Sequence, residues 1–189
     1  LGKPTVRTEI LAHKTGVLET FKELGIKPTT YWELGGQDSK SMSLEQFIMA
    51  MNDLCSAGSG SFFQAMAKRF GFDKDKNGRE LSTKEMLASL SDLALQSTQP
   101  YKFDSKCTVF MKDGTVSAAA AGVPLADIAA GIYMAAAKNF LYDVARGVPI
   151  GDLIVLGGGA ALQPALIAAF EAVTGKEIVV PEHTEIMGA

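Results

Sequence analysis

The sequence predicts an α/β fold, because segments with helical spacing alternate with segments typical of β-strands. The clearest helix covers 8–24, where apolar side chains recur on one side and Gly25 and Pro28 follow. The clearest strand–turn–helix unit starts at Asp152, where DLIVL precedes three glycines and the helical segment LQPALIAAFEAVTG. The chain has 189 residues, 47% of them hydrophobic, which is enough for a buried core.

The other elements follow in chain order. TYWELGG (30–36) and the alternating KSMSLEQFIMAM (40–51) predict two strands joined by the turn GGQD. Helices are predicted at about 61–70 and about 82–95, and Ser82 with Glu85 forms a capping box at the start of the second. Cys107 opens a third helix, and Pro124 with Asp127 opens a fourth that continues to about 146. EIVVP (177–181) is the last strand.

Charge and hydropathy argue against two classes of partner. The net charge of −3 and the pI of about 5.4 give no basis for binding nucleic acid or an anionic membrane surface. The window 116–137 carries a single charge, Asp127, but alanine is only weakly apolar and Pro124 divides the window. We interpret it as two alanine-rich helices in a core rather than a membrane span, and we expect a cytoplasmic protein.

One acidic segment imitates a calcium-binding loop. DKDKNGRELSTKE places Asp73, Asp75, Asn77 and Gly78 at the first, third, fifth and sixth positions of such a loop. The bidentate carboxylate needed at the twelfth position is missing, because Lys84 stands there. The segment is therefore interpreted as a polar turn between helices.

Two glycine-rich turns are candidate nucleotide contacts. In ELGGQDSK, Gly35 and Gly36 end a strand and would let a phosphate approach the main chain, while Gln37 and Asp38 could orient water or hydrated Mg²⁺. In IVLGGGAALQ, a buried strand ends in three glycines just before a helix. Neither is a Walker A loop or a full dinucleotide fingerprint, so plain tight connections remain an alternative at each turn.

The two cysteines, Cys55 and Cys107, leave alternatives open. Two thiolates do not complete a tetrahedral zinc site, and the histidines are only His13 and His183. Two cysteines from each of two identical chains would supply the four thiolates of a [4Fe–4S] cluster on a two-fold axis. Helix N-termini after both cysteines would favour such an anionic cluster. The other interpretation is two buried, inert thiols.

Six motifs occur in an order that resembles one family: ELGGQDSK, AMNDLCSAGSGSF, CTVF, IAAGI, VLGGGA and VPEH. The chain is similar to the ATP-dependent activators of 2-hydroxyacyl-CoA dehydratases and benzoyl-CoA reductases, the BadF/BadG/BcrA/BcrD ATPase family. The resemblance runs from about Thr8 to the end of the sequence. It implies an actin/Hsp70/sugar-kinase-like (ribonuclease H-like) lobe, a mixed sheet with flanking helices. Residues 1–30 would be a connecting helix from the first lobe, and 31–189 the second lobe.

The resemblance also implies roles for individual residues. Cys55 and Cys107 would bind a [4Fe–4S] cluster shared between the subunits of a homodimer. Gln37 and Asp38 would position the attacking water and Mg²⁺. Gly35 and Gly36 would face the phosphates of ATP or ADP. The adenosine side would be formed by Gly157, Gly158, Gly159 and Gln163.

By the same resemblance, the protein would take an electron from reduced ferredoxin or flavodoxin. The protein would then deliver this electron at low potential to a 2-hydroxyacyl-CoA dehydratase or benzoyl-CoA reductase-type component. ATP would act by changing the angle between subunits. No binding to nucleic acid or membrane is implied.

Departures from the family pattern leave two rival functions. The family's first strand and its Asp-x-Gly-Ser-type loop have no counterpart in the sequence, and its usual Thr-Gly-Gly-Val-Ala turn is replaced by GGGAA at 157–161. Gln163 stands where the family often has Asn, and MKDG at 111–114 replaces an acidic pattern. A small-molecule (sugar) kinase of the same superfamily is one alternative. A non-catalytic partner-binding domain of a larger activator is the other.

Overall fold

The computed structural model describes residues 8–23, 25–52, 59–103 and 108–184. The helices in these ranges are α1 (Glu9–Glu23), α2 (Gly60–Arg69), α3 (Thr83–Ala94), α4 (Thr108–Ala120), α5 (Leu125–Asn139) and α6 (Pro164–Thr174). The strands are β1 (Thr30–Leu34), β2 (Ser39–Ser43), β3 (Ile48–Met51), β4 (Leu153–Gly157) and β5 (Glu177–Val179). A π-helical turn, Phe140–Val144, extends α5, and a 3₁₀ turn, Gly159–Leu162, connects β4 to α6.

The five strands form one mixed sheet in the order β3-β2-β1-β4-β5. β2 runs antiparallel to β1 and β3, whereas β4 runs parallel to β1 and β5. The predicted α/β class with a mixed sheet and flanking helices is therefore confirmed. Because β1 and β4 are parallel neighbours, the two glycine-rich turns that follow them lie at the same edge of the sheet.

The prediction of one strand across 40–51 is wrong, because a four-residue turn divides that segment into β2 and β3. Phe47 in this turn has a φ of 54°, which is uncommon for a bulky side chain. The hydroxyl of Ser43 accepts a hydrogen bond from the backbone N–H of Gln46 at 3.3 Å. The turn lacks both glycine and proline, so the usual sequence signals of a turn are missing from this segment.

Helices cover both faces of the sheet. On one face, Val17 and Phe21 of α1 pack near Tyr31, Met42 and Val155. On the other face, the ring of Trp32 lies 5.1 Å from that of Phe140 and 5.0 Å from that of Phe170, which belong to the π-helical turn and α6. Tyr31 and Trp32 point to opposite faces because side chains alternate along a strand. The β1 segment therefore contributes to both cores.

Most predicted helix boundaries are confirmed within a residue or two. The capping box is present: the Glu85 N–H donates to the Ser82 hydroxyl at 3.3 Å, and the Ser82 N–H donates to Glu85 Oε2 at 2.8 Å. The helix predicted to run to 146 ends at 144 and finishes as a π-helical turn. Cys55 and Cys107 both lie outside the described residues.

The acidic segment at 73–81 forms a closed polar turn, as interpreted from the sequence. Asp75 accepts hydrogen bonds from the backbone N–H groups of Asn77 (2.8 Å) and Arg79 (3.0 Å). Gly78 has a φ of +81° within it. These hydrogen bonds lower the pKa of Asp75, those from the backbone of Arg79 and Asn77 having the largest effect. The carboxylate is thus occupied by the turn itself.

Among the helices in the described ranges, none combines the length and the apolar character needed to cross a bilayer. The window at 116–137 is instead divided between α4 and α5.

Candidate nucleotide site

A cavity of about 570 Å³ opens at the edge of the sheet where β1 and β4 end. Four segments form its walls: the turn between β1 and β2, the N-terminal halves of α2 and α3, and the 3₁₀ turn after β4. Its lining residues are Gly35, Gly36, Gln37, Gly60, Ser61, Gln64, Thr83, Lys84, Leu87, Ala88, Gly159, Ala160, Leu162 and Gln163. Both glycine-rich turns singled out in the sequence therefore contribute to one cavity.

The turn after β1 is held by main-chain hydrogen bonds. The Gly35 N–H donates to the Asp38 carbonyl at 2.8 Å and closes the turn. The N–H groups of Gly60 and Ser61 donate to the carbonyls of Gly35 and Gly36, each at 2.8 Å. A Cβ at Gly60 would lie 3.4 Å from both the Gly35 carbonyl oxygen and Gly36 Cα, so the start of α2 is already in van der Waals contact with the turn. The first N–H groups of α2 thus fix the turn.

The exposed tip of this turn carries the predicted catalytic pair. Gln37 and Asp38 are both exposed, and Gln37 lines the cavity. Asp38 is adjacent in sequence but is not among the lining residues. An exposed carboxylate next to a cavity can bind a hydrated cation through its waters.

The three glycines after β4 have different environments. A Cβ on Gly157 would lie 2.3 Å from the hydroxyl of Tyr31, so close strand packing requires glycine there. Gly158 has a φ of +86°, and its Cβ would lie 2.4 Å from the Leu34 carbonyl oxygen. Only Gly159 of the three lines the cavity. Gly157 and Gly158 therefore bring the second turn against β1, and Gly159 faces the open space.

Gln163 lies in the cavity wall but is only 2% exposed. Its Oε1 accepts a hydrogen bond from the Tyr133 hydroxyl at 2.6 Å, and its Nε2 donates to the Ala160 carbonyl at 3.2 Å. Burial raises the pKa of Tyr133 far above its ordinary value, so this hydroxyl remains a donor. The amide of Gln163 thus holds the 3₁₀ turn in place.

Sequence reasoning missed the contribution of α2 and α3. Ser61 and Gln64 line the cavity from α2, and four residues line it from α3: Thr83, Lys84, Leu87 and Ala88. Their spacing places each set on one helix face. The sequence did indicate where α3 starts, because the capping box at Ser82 marks that position. It did not indicate that the first residues of α3 would face the glycine-rich turns.

Away from the cavity, α1 is joined to the sheet by a cluster of charged side chains. Lys40 Nζ lies 2.6 Å from Glu9 Oε1 and 2.9 Å from Glu33 Oε2. His13 Nε2 lies 3.3 Å from Glu33 Oε2, and its Nδ1 lies 3.1 Å from the Tyr31 hydroxyl. Ligand atoms of Glu9, His13 and Glu33 come within 4.8 Å of one another, as in a metal site. The Lys40 ammonium already forms ion pairs with both carboxylates, which favours a structural role for this cluster over metal binding.

Comparison with known proteins identifies the same relatives by sequence and by structure. The BadF/BadG/BcrA/BcrD ATPase family profile matches residues 1–189. The chain is 31% identical to the (R)-2-hydroxyglutaryl-CoA dehydratase activating ATPase of Acidaminococcus fermentans, over 85% of this chain and 57% of that protein.

Two solved structures are similar across almost the whole chain. The crystal structure of component A of the Acidaminococcus fermentans (R)-2-hydroxyglutaryl-CoA dehydratase has a TM-score of 0.81 and 28% identity, covering 96% of this chain and 64% of that one. The activator of the 2-hydroxyisocaproyl-CoA dehydratase from Clostridium difficile, with bound ADPNP, has a TM-score of 0.75 and 27% identity, covering 96% and 62%. The predicted fold class, an actin-like ATPase lobe, is confirmed. The chain spans less than two thirds of the length of each relative.

Proposed function

The chain belongs to the BadF/BadG/BcrA/BcrD ATPase family, and on this basis we propose that it supplies the second lobe of an ATP-dependent activator. The activator hydrolyses ATP and delivers one low-potential electron to a 2-hydroxyacyl-CoA dehydratase or a related CoA-ester reductase. Relatives described as dehydratase activators support this proposal. Residues 1–30 are assigned as the connection to the first lobe, and 31–189 as the second lobe.

One observation carries the nucleotide part of the proposal: both glycine-rich turns line the same cavity and meet at Gly158, next to Leu34. Gly35 and Gly36 approach the phosphates, because neither presents a side chain to the cavity. Gln37 orients the attacking water, and Asp38 orders hydrated Mg²⁺. Gly159 lies against the adenosine. The first lobe supplies the opposite wall.

Three of the residues expected to touch the nucleotide act indirectly in this proposal. Gly157 and Gly158 allow the second turn to approach β1, and Gln163 fixes the 3₁₀ turn through Tyr133. Their contribution is to keep Gly159 at a fixed distance from Gly35. A catalytic site needs such support, because misplacement by about 1 Å is enough to lower the rate strongly.

Cys55 and Cys107 are the proposed ligands of a [4Fe–4S] cluster, two thiolates from each subunit of a homodimer. When bound, the cluster supplies one-electron transfer. α4 begins at Thr108, directly after Cys107, so its positive N-terminal end lies next to this thiolate in sequence. Reduced ferredoxin or flavodoxin is the proposed donor, and the cytoplasm the proposed location.

Coupling to ATP has an energetic reason. A one-electron transfer uphill requires about 1.4 kcal/mol for each ~59 mV, so several hundred millivolts demands an input on the scale of nucleotide hydrolysis. In this proposal the nucleotide binds in the cavity, between the two lobes. Closure of the lobes on ATP and their opening after hydrolysis would change the angle between the subunits.

Anaerobic preparation of the full-length protein tests this function. We expect about one [4Fe–4S] cluster per dimer and ATP hydrolysis, and we expect Cys55→Ser or Cys107→Ser to abolish the cluster. ADP formation that requires a sugar, with the γ-phosphoryl group transferred to the sugar hydroxyl instead of to water, would instead identify a kinase. Four irons per monomer in either single variant would contradict a cluster shared between subunits.

A further inference from the structure

Two polar side chains in the interior of the sheet have no hydrogen-bond partner among the described residues. These are the indole of Trp32, through its Nε1–H, and the hydroxyl of Ser41. Both residues are completely buried, with 0% of their surface exposed. Buried polar groups in folded proteins are almost always hydrogen-bonded, because an unpaired group has lost its contacts with water and gained nothing in return. Each of these two atoms therefore needs a partner that the described residues do not supply.

Trp32 and Ser41 lie directly opposite each other on the antiparallel strands β1 and β2. The backbone N–H of Leu44 donates to the Thr29 carbonyl at 2.9 Å, which places the hydrogen-bonded pairs of this ladder at odd-numbered positions on the β1 side. Trp32 and Ser41 consequently form a non-hydrogen-bonded pair, in which the Cα atoms are only about 4.5 Å apart. Directly opposed side chains point to the same face of a sheet. The two unpaired groups are thus neighbours on one face.

The surroundings of Ser41 consist of small side chains. The residues of β2 that point to this face are all buried serines: Ser39, Ser41 and Ser43. On the other side of β2, the residue opposite Ser41 is Ala50 of β3. The π-helical turn Phe140–Val144 lies against β2. Small side chains beneath a helical turn leave more room than the bulky residues that usually fill such a face.

We infer that a water molecule is bound inside the protein between Trp32 and Ser41. The indole N–H donates to the water oxygen, and the water donates one of its own protons to Ser41 Oγ. Two polar partners are within the range of hydrogen bonds that buried waters make, and a chain of this length ordinarily holds several such waters. A metal ion does not fit, because the indole nitrogen offers a proton and no free lone pair.

This water joins β1 to β2 through side chains at a position where the main chains form no hydrogen bond with each other. The site is separate from the proposed nucleotide site, and the inference does not depend on ATP binding. It also explains a polar pair in a face that is otherwise lined by apolar residues, since tryptophan and serine are tolerated in a core when their polar atoms are bonded.

A high-resolution crystal structure of the full-length protein tests the inference directly. We expect a water oxygen at about 2.7–3.2 Å from both Trp32 Nε1 and Ser41 Oγ. The water should be lost from Ser41→Ala and retained in Ser43→Ala, a matched control on the same strand and face. A direct hydrogen bond between the indole and the hydroxyl would overturn the inference. So would the absence of a water from the wild-type site, or a water that keeps its position in Ser41→Ala.

Urea unfolding tests whether the two side chains share one partner. Trp32→Phe and Ser41→Ala each remove one bond to the water, so the second removal should cost less than the first. The unfolding equilibrium constant of the double variant should be at least about twofold below the product of the single effects. Ser43 instead accepts a hydrogen bond from the Gln46 N–H at 3.3 Å, so Ser43→Ala and Trp32→Phe should combine multiplicatively. Multiplicative effects in both pairs would contradict a shared water. If Trp32→Phe does not fold, the structures of wild type, Ser41→Ala and Ser43→Ala still decide.

Discussion

Lys40 Nζ lies 2.9 Å from Glu33 Oε2, directly across the paired strands β1 and β2. The Lys40 side chain is 8% exposed and that of Glu33 13% exposed, so the pair is largely shielded from water. Glu9 of α1 shares the same ammonium at 2.6 Å. One lysine therefore joins the sheet to the helix that precedes it.

Replacement of this lysine should destabilise the protein. Lys40→Met leaves Glu33 buried without its main partner, and we expect the free energy of unfolding to fall by about 3 kcal/mol. Lys22→Met is the matched control, because the exposed Lys22–Glu19 pair should contribute less than about 1 kcal/mol. Urea unfolding measures both. Equal losses of unfolding free energy in the two variants would show that the contacts of Lys40 with Glu9 and Glu33 contribute no more to stability than an exposed ion pair.

The same cluster predicts a pH dependence. The hydrogen bond to Lys40 has the largest effect on the pKa of Glu9, which is lowered below its ordinary value of 4.5. Burial opposes the charged form of Lys40, but its hydrogen bonds to Glu9 and Glu33 outweigh burial, and its pKa is raised above 10.5.

The contribution of Glu9 is therefore present above pH 4.5 and is lost as the pH falls through its lower folded-state pKa. That of Lys40 is present below pH 10.5 and is lost above its raised pKa. Urea midpoints from pH 3 to 11 should show a larger difference between wild type and Lys40→Met at about pH 7 than at either end. A difference independent of pH would contradict this coupling.

Glycine at 158 should be required for the second turn. Gly158→Ala adds a Cβ at a φ of +86° and 2.4 Å from the Leu34 carbonyl oxygen, so both strain and a clash with main chain arise. Gly122→Ala is a matched control with a φ of +81° and nothing within 4 Å of the added atom. We expect about 1 kcal/mol of destabilisation for the control and clearly more for Gly158→Ala. Thermal unfolding measures the loss of stability in both variants. Similar losses would show that backbone strain accounts for the effect of Gly158→Ala and that the clash with the Leu34 carbonyl contributes nothing.

Asp38 should matter for turnover more than for binding. In the full-length protein, Asp38→Asn should lower kcat for ATP hydrolysis by at least ~100-fold, the scale for losing one well-placed charged group. ADP affinity should change much less. Asp73→Asn, an exposed aspartate in the polar turn at 73–81, is the control and should retain full activity. Unchanged turnover in Asp38→Asn would remove this carboxylate from the mechanism.

Residues 1–189 alone should bind Mg-ATP weakly or not at all. The described cavity offers one set of walls, whereas nucleotide sites bury most of their ligand. The fold should nevertheless persist, because the apolar clusters on both faces of the sheet, one around Phe21 of α1 and one around Trp32, form within this segment. Circular dichroism and calorimetric titration check the two statements. A micromolar dissociation constant would show that the binding cleft is complete in this segment.

Local features were readable from the sequence alone. The capping box at Ser82, the helix ending at Gly175 and the strand–glycine–helix unit after Asp152 are each encoded within a few neighbouring residues. The propensity and hydrogen bonding of such short segments depend little on the remainder of the chain. The two glycine-rich turns were recognised for the same reason.

The tertiary structure decided which residues meet. The turn that separates β2 from β3 depends on strand pairing and on the unusual φ of Phe47, and no glycine or proline marks it in the sequence. Only the parallel pairing of β1 with β4 brings Gly158 against Leu34 and leaves Gly159 alone of its three glycines in the cavity wall. The hydrogen bond from Gln64 Nε2 to the Thr83 hydroxyl likewise joins α2 and α3, whose mutual position no local pattern encodes. Contacts between distant residues follow from how the whole chain packs, and local periodicity carries no record of them.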